Sequence, residues 1–173
     1  MRMMTLFLAL GAAATHSTAA GADDFQTRVA MTEKSAATFY VPAEISGFGS
    51  AELMVDTGSG YMTINEETLA VLRQSGQIRY VKQLHGVLAD GTELVVPVYA
   101  ISALSIGGKC WLHDVEAAVF PGDARQILGL SALRKASPFI FSVDPPLLAL
   151  SRCTGSSVAA SGLAGVNATH LVD

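Results

Sequence analysis

Leu53-Met54-Val55-Asp56-Thr57-Gly58-Ser59-Gly60 is the stretch on which the fold of this chain turns. Three apolar residues run, strand-like, into a carboxylate that is followed at once by Thr-Gly. An aspartate in that setting is held by backbone amides at a strand end instead of floating on a long side chain. Gly58 lets the chain turn tightly and brings N–H groups near the carboxylate. Thr57 can hydrogen-bond across to its counterpart in a partner loop. Ser59 can donate to the outer carboxylate oxygen, which favours the ionised form. The tripeptide alone is a common turn, so its neighbours have to decide its meaning.

Working outward, the neighbours are mostly strands. Upstream, Thr38 to Ile45 and Ala51 to Val55 are apolar runs joined by the glycine-punctuated turn Ser46 to Ser50, a β-hairpin that feeds the Asp-Thr-Gly loop. Downstream, Asn65 is placed to cap a helix with Glu66 and Glu67 in its first turn, ending at Ser75-Gly76. Val81 to Leu88 and Leu94 to Ile101 flank Ala89-Asp90-Gly91-Thr92, whose Asp-Gly pair is a strong hairpin signal. Two further strands, Ala103 to Ile106 and Cys110 to His113, surround Gly107-Gly108, and Val115 to Phe120 forms another. Ile127-Leu128-Gly129-Leu130 then leads into a short helix, Ser131 to Lys135, and Phe139 to Val143 with Leu147 to Leu150 suggests a closing hairpin. Trp111, Val95, Val98, Ile101 and Val119 are read as core. One mostly β domain spans residues 37–152, preceded by a polar arm without clear period at 23–36 and followed by a Ser/Ala/Gly-rich tail at 153–173, expected to be flexible.

The order of these features resembles the retropepsin-like family of aspartic peptidases in clan AA, particularly its small bacterial members. The matching segments are Leu53 to Ser59, Ala89-Asp90-Gly91 and Ile127-Leu128-Gly129-Leu130, within a likeness that covers roughly Phe39 to Leu150. The resemblance implies an all-β, single-lobe closed β-barrel or sandwich with a flap hairpin and one or two short helices. It implies that Asp56 is catalytic and that Thr57, Gly58, Ser59, Ile127, Leu128 and Gly129 support its loop. Ala89, Asp90, Gly91 and Thr92 would form the flap over a bound peptide. In this family the residue after Ser59 is often Ser or Thr; here it is Gly60, a departure that removes no catalytic atom.

One Asp-Thr-Gly per chain is half of a peptidase. The reaction needs two carboxylates sharing a proton, one as base and one as acid. Asp90, Asp114, Asp123 and Asp144 all lack the strand–Thr-Gly setting. A two-fold homodimer would supply the partner by symmetry, making an aspartic endopeptidase that needs no metal or organic cofactor and acts on peptides or proteins. The rival is a catalytically inactive peptide-binding or dimerisation module of the same fold. Serine chemistry at Ser59 lacks both the strand–elbow–helix context and a placed histidine.

Composition and the first residues bound the class further. Half of the 173 residues are hydrophobic and 15% are charged, enough apolar surface for a sizeable core. The charge of −4 carries no basic run, which argues against a nucleic-acid partner. Residues 1–22 read as a signal peptide: Arg2, the apolar run Thr5 to Ala14, and a cleavage site at Ala20-Gly21-Ala22. The apolar run is about half the roughly 20 residues that span a bilayer, which favours cleavage over a retained anchor. Its removal moves the charge from −4 to −5 and leaves a chain without stable membrane insertion, in the periplasm or outside the cell. There Cys110 and Cys153 could pair; the alternative is two free thiols, Cys110 buried in a strand and Cys153 loose at the start of the tail. His16, His85, His113 and His170 are too dispersed for a metal site.

Overall fold

The structure, a computed structural model, describes residues 25–87, 91 and 93–154. In chain order its elements are β1 (Thr27–Ala30), β2 (Thr32–Lys34), β3 (Thr38–Ile45), β4 (Gly49–Val55), β5 (Met62–Asn65), α1 (Glu66–Gln74) and β6 (Ile78–Val87). There follow β7 (Glu93–Ile106), β8 (Cys110–Phe120), β9 (Ile127–Leu128), α2 (Leu130–Leu133), β10 (Phe139–Ser142) and β11 (Leu147–Leu150). Residues 1–22, read above as a signal peptide, lie outside the described residues. Among those described, no helix is long and apolar enough to cross a membrane.

Alternation explains the strands. In β3, Phe39, Val41, Ala43 and Ile45 point inward while the residues between them face out. Its neighbours close a ring. The order β3-β4-β9-β5-β8-β7 returns to β3 through Ala43↔Ile106, Glu44↔Ser105 and Ile45↔Leu104. Closure leaves the ring strands without a free edge. It also encloses a core in which Leu53, Met62, Ile64, Ile101, Leu104 and Leu128 are fully buried. Each such side chain contributes about 1.5–3 kcal/mol. Two ring contacts are parallel, β4 with β9 and β5 with β8. The first is the one that positions the site.

Outside the ring, β6 pairs with β7 to form a long hairpin, and β1, β11 and β10 form a separate three-stranded sheet. That sheet is tied to the barrel by an edge-to-face contact of Phe39 and Phe141 at 5.4 Å. Asn65 caps α1 as its sequence suggests, accepting from Thr68 N at 2.9 Å.

Several features differ from the sequence expectation. Residues 23–36 show no clear period, yet β1 pairs with β11 and β2 with β3. A four-residue strand is too short for its alternation to stand out. Only the tertiary fit, with Val29 buried against the Cβ-less surface of Gly107, makes it a strand. Ser102 and Asp114 interrupt apolar runs and suggest strand ends, but β7 and β8 run straight through them. Asp114 absorbs the irregularity at φ +50, and Ser102 N bonds to Gln77 O at 3.0 Å instead of to β8. Val95, expected in the core, is 49% exposed. It sits on the part of β7 that pairs with β6, where Val96 and Val98 take the inward positions.

The start of the tail is also anchored. Cys110 and Cys153 form a disulfide with Cα atoms 4.7 Å apart, across a separation of 43 residues. Beside it Thr154 Oγ1 donates to Trp111 O at 2.6 Å. The chain-entropy estimate for such a loop is about 4 kcal/mol. Residues 155–173 lie outside the described chain.

Candidate active site

β4 carries the chain to Asp56, and β9 fixes it there. Met54 N donates to Gln126 O at 3.1 Å and Asp56 N to Leu128 O at 3.2 Å, so the backbone is held on both sides of Val55. The chain then turns: Ser59 N returns to Asp56 O at 3.3 Å, and Gly58 N donates to Asp56 Oδ1 at 2.8 Å. A hydrogen bond to an ionised acceptor is among the stronger kinds. It orients the half-buried carboxylate while Oδ2 has no partner among the described residues.

Ser59 does not do what its sequence position suggests. Its Oγ donates to Tyr61 O at 2.7 Å and not to the carboxylate. The loop curls so that the carbonyl two residues ahead takes the hydroxyl, and Ser59 stiffens the exit of the loop. Thr57 is exposed and has no side-chain partner among the described residues.

Ile127, Leu128 and Gly129 come against the loop from the other side. A Cβ on Gly129 would stand 2.0 Å from Tyr61 O, 2.5 Å from Tyr61 C and 2.9 Å from Ser59 O. All three are backbone atoms, so no side chain can give way and only glycine fits. The close approach lets Leu130 N donate to Ser59 O at 2.8 Å. Ser131, which sequence reasoning missed, completes the brace. Its Oγ accepts from Met62 N at 2.7 Å and donates to Glu116 O at 2.6 Å, joining β5 to β8 behind the loop. The available signal was its place two residues beyond Gly129.

The expected flap falls on the β6–β7 hairpin, which is paired out to Val87↔Glu93 and has Gly91 at φ +85. Ala89, Asp90 and Thr92 lie outside the described residues. On the hairpin's inner side Val96, Val98 and Ala118 form a second apolar cluster, packed by Tyr61, Val81, Leu84, Leu94 and Phe120. Tyr61 links this cluster to the Asp56 loop. Lys82 of β6 lies 5.3 Å over the Tyr61 ring and 3.0 Å from Glu116. Hydrogen bonding to Tyr61, and then to Glu116, raises its ammonium pKa above the ordinary lysine value. His85 and His113 are exposed on their strands. No group of three or more His, Cys, Asp or Glu that could hold a metal occurs among the described residues.

The structure is similar to the crystal structure of a retropepsin-like aspartic protease from Rickettsia conorii, with a TM-score of 0.54 and 19% identity over 72% of this chain and 91% of that one. That likeness bears on the fold, which is retropepsin-like. No curated protein sequence matches. The model of the family described as "gag-polyprotein putative aspartyl protease" matches residues 41–135, from inside β3 to just beyond α2. Matched over more than half its length, and with the Asp-Thr-Gly loop and its glycine brace inside the match, the chain belongs to this retropepsin-like aspartic protease family.

Proposed function

We propose that the chain is an aspartic endopeptidase whose catalytic dyad is completed by Asp56 of a second copy. The observation that carries this reading is the Asp56 carboxylate itself. It is half-buried at a strand end, its Oδ1 is fixed by Gly58 N, and its loop is braced by backbone on two sides. A merely structural turn has little need of such bracing.

In the dyad one carboxylate is ionised and one carries the shared proton. The ionised acid takes a proton from a water whose oxygen attacks the peptide carbonyl carbon. The protonated acid gives its proton to the carbonyl oxygen, and a gem-diol forms. A proton then passes to the amide nitrogen as the C–N bond breaks, releasing an amine and a carboxylic acid. Ser131 and Gly129 are positioning residues, since they act through the loop backbone. The apolar cluster of Tyr61, Leu84, Leu94 and Phe120 favours hydrophobic residues next to the cut. The flap would cover the peptide from β6 and β7. Residues 1–22 would direct export, which places the reaction in the periplasm or outside the cell and accords with the disulfide.

The test pairs mass in solution with casein digestion at mildly acidic pH. Wild type should run as a dimer and cut, and a statine-type transition-state mimic should block it. Asp56→Asn should remain dimeric and lose activity by on the order of 10³-fold. A strictly monomeric protein that still cuts, or an active Asp56→Asn variant, overturns the reading.

A further inference from the structure

We infer that a cationic track running from the end of the Asp56 loop to the disulfide clip is an exosite for acidic segments of a polypeptide substrate. The inference rests on the peptidase reading and deepens it by naming a substrate class.

Two grooves carry it. One, of about 390 Å³, begins at Gly60 and Tyr61, directly after the Asp56 turn, and is bordered by Arg134 and Lys135. The other, of about 320 Å³, is bordered by Lys135, Arg152, Trp111 and Thr154. Lys135 lines both, so the grooves adjoin. A chain leaving the reaction centre past Tyr61 would enter the first and can continue into the second.

The charges along this path are not balanced. The acids that border the first groove already have cations: Asp114 lies 3.9 Å from Arg79, and Glu116 lies 3.0 Å from Lys82. Arg134, Lys135 and Arg152 are exposed and have no ion-pair partner among the described residues. In a chain of net charge −4 with only 15% charged residues, adjacent uncompensated cations are unusual. They also sit on fixed backbone. Arg152 N donates to Ala136 O at 3.2 Å, Cys153 is bonded to Cys110, and Thr154 pairs with Trp111. A track of cations borne on fixed backbone beside an aromatic face complements an extended chain bearing Asp or Glu. It does not suit a basic or neutral one.

The experiment uses fluorogenic peptides with one apolar cleavage core, extended on either side by four Glu, four Gln or four Lys. With wild type, the Glu extension on at least one side should lower KM about fivefold to tenfold against Gln, with kcat nearly constant and the gain shrinking as salt rises. Lys135→Glu, and separately the pair Arg134→Glu with Arg152→Glu, should abolish or invert the Glu-to-Gln ratio. Using that ratio within each protein cancels any change in the centre itself, and a melting curve establishes folding. Equal KM for Glu and Gln extensions, or an unaltered preference in both variants, overturns the exosite. Direct binding of the same labelled peptides to Asp56→Asn, read by fluorescence anisotropy, separates the two readings. If wild type cuts no peptide, the catalytic reading falls, and the Glu-over-Gln preference in binding still decides for or against the track.

Discussion

The Asp56 loop and the β6–β7 hairpin are built on opposite terms. The loop at 56–61 is packed backbone against backbone: Gly129 lies where a single Cβ would stand 2.0 Å from Tyr61 O, and Leu130 N and Ser131 Oγ hold Ser59 and Met62. The β6–β7 hairpin, the proposed flap, has one neighbouring strand along most of β6 and shows solvent Tyr80 at 53% and Val95 at 49% exposure. The difference accords with the proposed roles. A carboxylate that is to share a proton with a twin, as proposed for Asp56, has to be held to fractions of an ångström. A segment that admits and covers a peptide has to move, and such segments come from the weakly packed end of a fold. Substitutions should therefore be felt sharply in the first region and weakly in the second.

Gly129→Ala tests the contrast at its strongest point. The added methyl meets only backbone, so strand β9 or the loop must shift. We expect a loss of about 3 kcal/mol or more in urea unfolding and a collapse of peptide turnover. Stability within 1 kcal/mol of wild type would mean that the loop is softer than its packing implies. Ser131→Ala is the next step down. It leaves Met62 N without its partner behind the loop and should cost about 1–3 kcal/mol in the same assay. Because Ser131 acts only through position, kcat should fall while KM for a short apolar peptide changes little. Rescue by Ser131→Thr, which restores the hydroxyl, would sharpen the assignment. The smallest effect belongs to the β6–β7 hairpin. Val95→Thr, on an exposed β position, should leave stability within about 0.5 kcal/mol, read by thermal melting. A large loss there would show that the hairpin is packed against something else, and the contrast between the two regions would fail.

The same contrast governs how much could be read from the chain alone. Elements whose signal is local were legible: the Asp-Thr-Gly turn after an apolar strand, the Asn65 cap of α1, the glycine turns, and the hairpins around residue 90 and at 139–150. The role of Ser59 was not legible, because a hydroxyl within reach of two acceptors chooses by loop curvature. Ser131 went unnoticed because a serine in a short helix has no distinctive pattern. Its importance comes from β5 and β8 meeting its Oγ from distant parts of the chain. Val95 looked like core because alternation shows that a strand has two faces without showing which face is covered.

By itself the sequence determined the Asp-Thr-Gly turn, its place at the end of an apolar strand, and the glycine turns, since these depend on dihedral freedom and on neighbours a few positions away. The tertiary structure decided the closure of the ring through β3 and β7, the docking of residues 27–34, the pairing of Cys110 with Cys153, and the adjacency of Lys135 to both grooves. Those are contacts between segments far apart in the chain. Their free energy depends on how whole surfaces fit, and no local pattern records it.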